Sequence, residues 1–367
     1  MTISFITSLL EKKAPLALQE DYDNAGLITG NKNWECKGAL ICLDVTEEIL
    51  EEAIQQKCNL IIAHHPIVFK GLKKFSGNSY VERAVVKAIK NDIAIYACHT
   101  NLDNIITGVN GKIADQLGLI NRSILQPKNG FLEKLQVFSP ASHSEIVEKA
   151  LFEAGAGEIG NYSECSFVSE GLGSFKPGDG ANPFLGEMGI RHKENEQKIE
   201  VVYPKWLRNQ VLSAMKSAHP YEEVAYEISS LLNVYQEIGS GLIGELPNEM
   251  DIADFLKFLS EAFGQKCIKH TSFTGKTIKK IAICGGAGSF LTQAAIVAGA
   301  DVYVTSDVKY HEFFDADGKI ILADIGHFES EQYTIDLIYD ILRQNFPTFA
   351  LLKTKVNSNP VHYFVNE

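Results

Sequence analysis

Short apolar runs alternate with amphipathic stretches in the first third of the chain. Ala39–Val45, Leu60–His64 and Ile93–Cys98 have the length of strands and are rich in Ile, Leu, Ala and Cys, which is typical of strands buried on both faces. Between them, Glu47–Gln56 and Tyr80–Lys90 space their apolar residues at helical intervals. The order strand–helix–strand–helix–strand predicts a parallel α/β unit.

The same order returns near the C-terminus. Ile281–Cys284, Asp301–Thr305 and Lys319–Asp324 predict strands, a helix after the first of them runs to about Ala298, and Tyr333–Arg343 predicts a closing helix. We interpret this repetition as an internal duplication, in which two similar α/β halves form one metal-binding body around a shared site.

A segment of different character lies between the halves. It contains strand-like runs at Leu132–Phe138, Cys165–Glu170, Ile199–Tyr203 and Val224–Ser229, helical runs at His143–Ala154 and Lys205–Ser217, and a Gly- and Pro-rich stretch at Gly171–Glu187 interpreted as a loop or hairpin. The order β-α-β-β-α-β predicts a ferredoxin-like α+β insertion. The predicted domains are therefore a duplicated body, 1–128 and 236–367, and an inserted domain, 129–235.

Composition narrows the classes of function. The formal charge of −12 argues against general binding to nucleic acid or to an anionic membrane surface. Seven cysteines stand singly with no C-x-x-C pair, a usage that fits a reducing compartment. With no basic leader or bilayer-length apolar segment in the sequence, we expect a cytoplasmic protein.

Two adjacent histidines end the second apolar run. His64 and His65 precede Pro66, which cannot continue a central strand, and the carboxyl edge of an open α/β sheet is where ligands bind. Neighbouring strand residues point to opposite faces, so both imidazoles serve one site only where the chain leaves the strand. The pair fits two metal ions sharing a cavity, and it equally fits a hydrogen-bonded structural pair.

Other metal-competent residues follow other apolar runs. Asp103 is a candidate ligand after the third strand, and His99 is a candidate for proton transfer or a structural histidine. His327 and Glu331 are four residues apart where a helix should begin, so both can face one way. Imidazoles select transition metals over Mg²⁺ or Ca²⁺, and carboxylates can bridge two cations. The set predicts two divalent transition metal ions, namely zinc, iron, manganese or cobalt.

Three further stretches have two interpretations each. Gly285–Ser289 lies between a strand and a helix and could bind phosphate through its amides, or it is a tight turn. Asp23 and Asn24 fit a plain Asx turn or a role in supporting the site. The loop His219–Glu223 could contact a ligand of the insertion, or it is an ordinary solvated turn.

Five motifs together resemble the Ngg-interacting factor three-like family, whose bacterial members are often named GTP cyclohydrolase 1 type 2 homologues. They are Asp23–Leu27, Ala63–Pro66, His99–Asp103, Gly239–Glu245 and Gly326–Glu331. The stretch His219–Tyr226 resembles the longer bacterial members, where the insertion folds like small trimeric signalling and metal-tolerance proteins.

The resemblance implies a dinuclear metal centre held by His64, His65, Asp103, His327 and Glu331, within a toroidal homohexamer. The implied activity is metal-dependent hydrolysis of a nucleotide or other small molecule, of the GTP cyclohydrolase type. Two alternatives stay open: a metallophosphatase or phosphodiesterase, and a non-catalytic metal-binding regulatory assembly.

Overall fold

A computed structural model describes residues 1–273, 275 and 277–364. The strands are β1 (Gly26–Thr29), β2 (Ala39–Cys42), β3 (Leu60–Ala63), β4 (Ala94–Ala97), β5 (Ile120–Asn129), β6 (Leu132–Pro140), β7 (Ser166–Phe175), β8 (His192–Pro204), β9 (Tyr226–Leu231), β10 (Val234–Met250), β11 (Lys269–His270), β12 (Ile278–Ala287), β13 (Val302–Ser306), β14 (Ile321–Asp324) and β15 (Leu351–Lys353). The α-helices are α1 (Ile3–Lys13), α2 (Glu47–Gln55), α3 (Tyr80–Lys90), α4 (Thr100–Asp103), α5 (Val109–Gln116), α6 (Ser144–Glu153), α7 (Arg208–Ala218), α8 (Ile252–Phe263), α9 (Thr292–Val297), α10 (His327–Glu331) and α11 (Thr334–Asn345). The predicted mixed α/β class is confirmed.

The chain divides into two compact units. The first combines Met1–Pro127 with Gln236–Glu367, and the second is Lys128–Tyr235. In the first unit, one sheet has the strand order β1-β4-β3-β2-β15, with β15, β2, β3 and β4 parallel and β1 antiparallel to β4. A further sheet of this unit has the order β11-β14-β13-β12-β10-β5. In it β12, β13 and β14 are parallel, β11 runs antiparallel to β14, and β10 runs antiparallel to β12.

Buried aliphatic side chains explain why the short strands form. Every residue of β2, β3 and β4 is buried, and burying one Ile or Leu side chain contributes about 1.5–3 kcal/mol. The helix α2 begins at the N-cap Thr46, whose hydroxyl accepts from the Ile49 N–H, and Glu47 and Glu48 in its first turn complement the helix dipole. Its buried face, Ile49, Leu50 and Ala53, packs into the same core as β2 and β3.

The second unit has its own antiparallel sheet, in the order β7-β8-β6-β9. Its core combines side chains from the sheet with Val147 and Leu151 of α6 and Val211 and Met215 of α7. Of the two interpretations of Gly171–Glu187, a loop or a hairpin, the structure has the hairpin: β7 continues through Phe175, which pairs with His192 of β8. The long partner strand β8 extends the ladder past Gly171 and Gly173 despite the weak strand preference of glycine.

The strands β3 and β4 and the helices α2 and α3 lie within a residue or two of their predicted positions. The short strands β1 and β15, the strand β5 and the helix α8 are additions to the sequence prediction. Among the described residues, no helix combines the length and the apolar character needed to cross a membrane.

Candidate metal centre

His64 and His65 follow β3 directly and face one cluster. Their backbone amides still donate to Cys42 O and Leu43 O, at 3.2 and 2.9 Å, so the chain stays beside β2 while it leaves the strand. The two rings lie with centroids 4.8 Å apart and planes tilted by 45°. Departure from regular strand geometry before Pro66 therefore brings two consecutive imidazoles to the same site.

Each of the three candidate imidazoles is held through its Nδ1 atom, which orients its Nε2 atom. The Nδ1 contacts are His64 to Cys98 O, His65 to Asp44 Oδ1 and His327 to Asp307 Oδ2, each at 2.7 Å. An acceptor at Nδ1 fixes the proton there in the neutral ring, so Nε2 keeps its lone pair for a metal ion. The distance between His327 Nε2 and His65 Nε2 is 3.4 Å.

Glu331 lies at the meeting point of these Nε2 atoms. Its Oε2 is 2.9 Å from His65 Nε2 and 3.0 Å from His327 Nε2, while its Oε1 is 3.7 Å from His64 Nε2. Ligand atoms of His64, His65 and Glu331 all lie within 4.8 Å of one another, a group that could hold a metal ion. Because the two carboxylate oxygens face different imidazoles, Glu331 has the arrangement of a bridging group.

Asp103 completes the inner cluster. Its Oδ1 is 3.7 Å from His64 Nε2. Both atoms belong to the few buried side-chain polar atoms among the described residues that have no hydrogen-bond partner. Burying a polar atom without a partner costs free energy, and a cation between these two atoms would satisfy both. The donor set of imidazole nitrogens and carboxylate oxygens fits a transition metal.

Electrostatics in the cluster also favour a cation. Burial opposes the charged form of His65, but hydrogen bonds to Asp44 and Glu331 outweigh it and raise its pKa to about 10. Burial acts in the same sense on His327, where contacts with Glu331 and Asp307 raise the pKa to about 9. Burial and the nearby Glu331 charge raise the pKa of Asp103 to about 7. Carboxylates that hold a proton on an imidazole will also hold a metal ion, which displaces that proton.

The glycine-rich end of β12 lets the backbone approach Glu331. A Cβ on Gly286, whose φ is +63°, would lie 2.5 Å from Glu331 Oε1. The three glycine amides of this turn have internal acceptors: Gly285 N donates to Asn110 Oδ1, Gly286 N to Ser330 Oγ and Gly288 N to Thr305 Oγ1, at 3.0–3.1 Å. The tight-turn interpretation of Gly285–Ser289 therefore accounts for these amides without a phosphate.

His99 stands beside the cluster with its own carboxylate partner. Its Nδ1 lies 2.6 Å from Asp23 Oδ1, and its ring centroid is 5.4 Å from that of His64. Asp23 also accepts hydrogen bonds from the amide and hydroxyl of Thr100. Burial opposes ionisation of Asp23, but the bonds from His99 and Thr100 lower its pKa to about 2. Asp23 thus supports the site across 76 residues of sequence, in addition to accepting from the Asn24 amide.

A cavity of about 800 Å³ opens onto the cluster. Its wall includes the aromatic rings of Tyr22, Phe69 and Phe290, which are 65%, 46% and 65% exposed. Besides Asp103 and Glu331, the carboxylates of its wall are Glu20, Asp44, Asp307, Asp324 and Glu329.

Sequence reasoning missed Asp44 and Asp307 as partners of the imidazoles. Both follow buried strands, β2 and β13, and this position is the signal that could have identified them. Outside the first unit, two side chains of the His219–Glu223 loop have partners within the second unit. His219 Nε2 contacts Phe138 O at 2.9 Å, and the Tyr221 hydroxyl donates to Glu196 at 3.1 Å.

Comparison with known proteins identifies relatives along nearly the whole chain. A family described as Duf34/NIF3 (NGG1p interacting factor 3) matches residues 1–360. A protein of Bacillus subtilis (strain 168) named GTP cyclohydrolase 1 type 2 homolog is 42% identical over 312 residues, which cover 85% of this chain and 84% of the relative. A protein of the same name from Halalkalibacterium halodurans is 41% identical over 325 residues, 88% and 87% of the two chains.

A solved structure agrees with these relatives. The Bacillus cereus protein related to NIF3 matches with a TM-score of 0.88 and 37% sequence identity, over 99% of both chains. The family resemblance inferred from the five motifs is confirmed, and the chain belongs to the Duf34/NIF3 (NGG1p interacting factor 3) family.

Proposed function

We propose that this cluster is the dinuclear centre of a metal-dependent hydrolase that acts on a nucleotide or a related ring compound. The observation that carries the proposal is the pair of buried, unpartnered atoms, His64 Nε2 and Asp103 Oδ1, opposite the two-sided carboxylate of Glu331. Such a pair is costly to bury in a purely structural cluster, whereas a metal site uses it.

The ligands in this proposal are His64, His65, Asp103, His327 and Glu331, with Glu331 as the bridge. Two ions of zinc, iron, manganese or cobalt fit this donor set. When bound, they supply a water of lowered pKa and stabilise negative charge that develops during hydrolysis.

His99 is the residue that moves protons in this proposal. Asp23 Oδ1 accepts the hydrogen bond from Nδ1–H of His99, which leaves Nε2 as the proton acceptor. Asp23 stays ionised because its pKa is about 2, so it holds the ring in one tautomer and orientation. Replacing His99 by Gln should lower kcat by about 10²–10⁴-fold and leave the metal content unchanged.

The chemistry proposed first is hydrolytic opening of a purine ring, in line with the name of the relatives, GTP cyclohydrolase 1 type 2 homolog. The alternative is hydrolysis of a phosphoester, because a centre that stabilises developing negative charge serves both reactions. The non-catalytic alternative is a metal-binding regulatory assembly.

The deciding experiment measures metal content and hydrolysis on the same samples. Protein reconstituted with zinc, iron, manganese or cobalt should contain about two equivalents per chain, by analogy with other dinuclear centres. It is then assayed on nucleotides, phosphoesters and cyclic amides. Protein that takes up only trace metal contradicts the proposal. Loaded protein that hydrolyses none of these substrates favours the regulatory assembly.

A matched pair of variants locates the site. Glu331→Gln should empty at least one metal position and abolish hydrolysis, because an amide lacks the charge of a bridging carboxylate. Glu329→Gln changes a neighbouring carboxylate of α10 whose partner is Asn359, and it should keep both ions. Full metal content in Glu331→Gln would show that Glu331 is not a ligand.

We also propose the architecture inferred from the sequence. Each sheet of the first unit contains three parallel strands that follow one another along the chain, β2-β3-β4 and β12-β13-β14, with an antiparallel strand beside the third, β1 next to β4 and β11 next to β14, which supports a duplication. The order β7-β8-β6-β9 supports a ferredoxin-like insertion. The toroidal homohexamer and the cytoplasmic location stay predictions.

A further inference from the structure

We propose that the substrate of this centre is a small planar heterocycle, uncharged or cationic, that carries no polyphosphate. This inference rests on the proposed hydrolase function and narrows its substrate class. Three features of the cavity carry it, namely the charge of its wall, the hydrogen bonding of its glycine-rich turn and the position of its aromatic rings.

The wall of the cavity is anionic. Its described residues include seven carboxylates, two of which are the proposed ligands Asp103 and Glu331. Lys269 is the one lysine among the described lining residues, and arginine is absent from them. Its Nζ already lies 2.6 Å from Asp324 Oδ2. Two divalent ions and this lysine would together contribute five positive charges, so the wall would remain net negative with the centre filled. Such a wall repels a triphosphate and attracts neutral or cationic molecules.

The three glycine amides of the turn are not available to a phosphate. In phosphate-binding loops, several backbone N–H groups point at the anion. Here the amides of Gly285, Gly286 and Gly288 donate to the side-chain oxygens of residues packed behind the turn. These three glycine amides beside the centre are therefore committed to internal bonds.

The aromatic rings offer a surface for a planar ligand. Tyr22 and Phe69 contact each other with centroids 6.2 Å apart, and Phe69 also contacts His99 at 6.2 Å. Both side chains are about half exposed or more, and both line the cavity. Exposed aromatic rings stack on a neutral heterocycle and attract a cationic one through their negative faces. A ligand on these rings would lie beside His99 and the ligand cluster.

The test compares ligands that share one ring and differ in phosphate number. Guanosine, GMP and GTP are titrated into the metal-loaded full chain by calorimetry, at low and at moderate ionic strength. We expect guanosine to bind at least about tenfold more tightly than GTP, with GMP between them. Because the discrimination against GTP is electrostatic, added salt should reduce it. GTP binding as tight as guanosine, or tighter, overturns the inference. Failure of all three to bind also overturns it, because the aromatic wall would then not accept a purine.

Two variants test whether Tyr22 stacks on the purine and whether the charge of Glu329 repels GTP. Tyr22→Ala should weaken guanosine and GTP binding by the same factor, about 5–150-fold, because stacking is worth about 1–3 kcal/mol per base. Glu329→Gln should improve GTP binding alone, since it removes one negative charge from the wall. If Glu329→Gln leaves the ratio of guanosine to GTP affinity unchanged and salt does not alter that ratio, the electrostatic explanation is wrong.

Metal content, measured on every sample before and after titration, separates two kinds of failure. Protein that never takes up metal contradicts the proposed function. Fully loaded protein that prefers GTP contradicts only the substrate class. The second measurement also detects removal of metal by the triphosphate, which would otherwise be counted as binding.

Discussion

Asp44 and Asp307 act on the candidate centre through the imidazoles they hold. Each accepts from the Nδ1 atom of one histidine at 2.7 Å and thereby aims its Nε2 atom at Glu331. Contacts with His65 and Ser358 outweigh burial and lower the pKa of Asp44, so its carboxylate stays charged. A charged acceptor makes the ring a better metal ligand and restricts its rotation.

We predict that Asp307→Ala lowers the affinity for metal by about 10–100-fold, the usual effect of losing such a partner. His327 remains, but its ring loses the acceptor that orients it. The measurement is competition with a chromophoric chelator for zinc. Asp315→Ala removes an exposed carboxylate from the turn between β13 and β14 and serves as the control. Equal affinities for the two variants would show that Asp307 does not position the ligand.

One sequence pattern predicts part of the candidate site. A polar side chain just after a buried strand identified His64, His65 and Asp103, and applied fully it would also have identified Asp44 and Asp307. Asp23 follows no such strand, because it lies just before the short strand β1. Its contact with His99 depends on the antiparallel pairing of β1 with β4, which separation in sequence conceals.

At the scale of elements, the C-terminal segment after β15 connects to the candidate centre. Ser358 Oγ donates to Asp44 Oδ2 at 2.8 Å, and Asn359 Nδ2 donates to Glu329 at 3.0 Å. Asp44 is therefore held between Ser358 and His65. The segment itself is anchored where the Lys355 amide donates to Glu52 on α2.

We predict that ending the chain after Asn357 lowers metal affinity by roughly tenfold, because Asp44 loses its second hydrogen bond. The midpoint of thermal unfolding should change little, since β15 and the contact with Glu52 remain. Zinc titration and calorimetry measure the two quantities. Ser358→Ala should reproduce the loss of affinity and Asn359→Ala should not. Loss of metal affinity in Asn359→Ala but not in Ser358→Ala would mean that the segment acts through Glu329.

In the second unit, β6 contains a buried carboxylate that ties the sheet to the start of α7. Glu133 is 3% exposed, and it accepts from the Arg208 guanidinium and, at 3.1 Å, from the Tyr203 hydroxyl. The hydrogen bonds from Arg208 outweigh desolvation and lower the pKa of Glu133 below 4.5. The folded state therefore binds fewer protons at Glu133 than the unfolded state. This carboxylate stabilises the unit above about pH 4.5, and the stabilisation is lost as the pH falls.

We predict that Glu133→Gln destabilises this unit by about 1–2 kcal/mol at pH 7, a value discounted because Arg208 is half exposed. The difference between variant and parent should shrink as pH falls below 4.5. Urea unfolding followed by Trp206 fluorescence measures it, in a Trp34→Phe background that leaves one tryptophan. A pH-independent difference would assign the effect to packing and not to charge.

Elements were predictable where length and periodicity agreed. The helix α3 and the strand β3 can be recognised from their own residues, because α3 spaces its apolar side chains at helical intervals and β3 is a continuous apolar run. The three residues of β15 form a strand only because β2 offers a parallel edge more than 300 residues away. The helix α8 has boundary signals in the N-cap Asp251 and in Gly264 with φ of 65°, and it could have been predicted.

At the scale of the whole molecule, the chain leaves and re-enters the first unit at neighbouring points. A Cβ on Gly239 would lie 2.2 Å from Gln126 O and 2.7 Å from Pro127 Cα. The two strands that carry the chain out and back, β5 and β10, are neighbours in one sheet. The residues proposed for the metal centre all belong to the first unit. Removing the second unit therefore leaves two chain ends that a short linker can join.

We predict that a deletion variant joining Pro127 to Gln236 through a short flexible linker folds and binds the same number of metal ions as the full chain. Domains inserted between nearby surface points usually have their own core, as the second unit has in its sheet and in α6 and α7. Metal analysis, circular dichroism and sedimentation of both proteins provide the measurements. An unchanged metal content with a smaller assembly would give the insertion a role in association. A folded variant without metal would mean that the second unit shapes the centre, and the proposed independence of the duplicated body would be wrong.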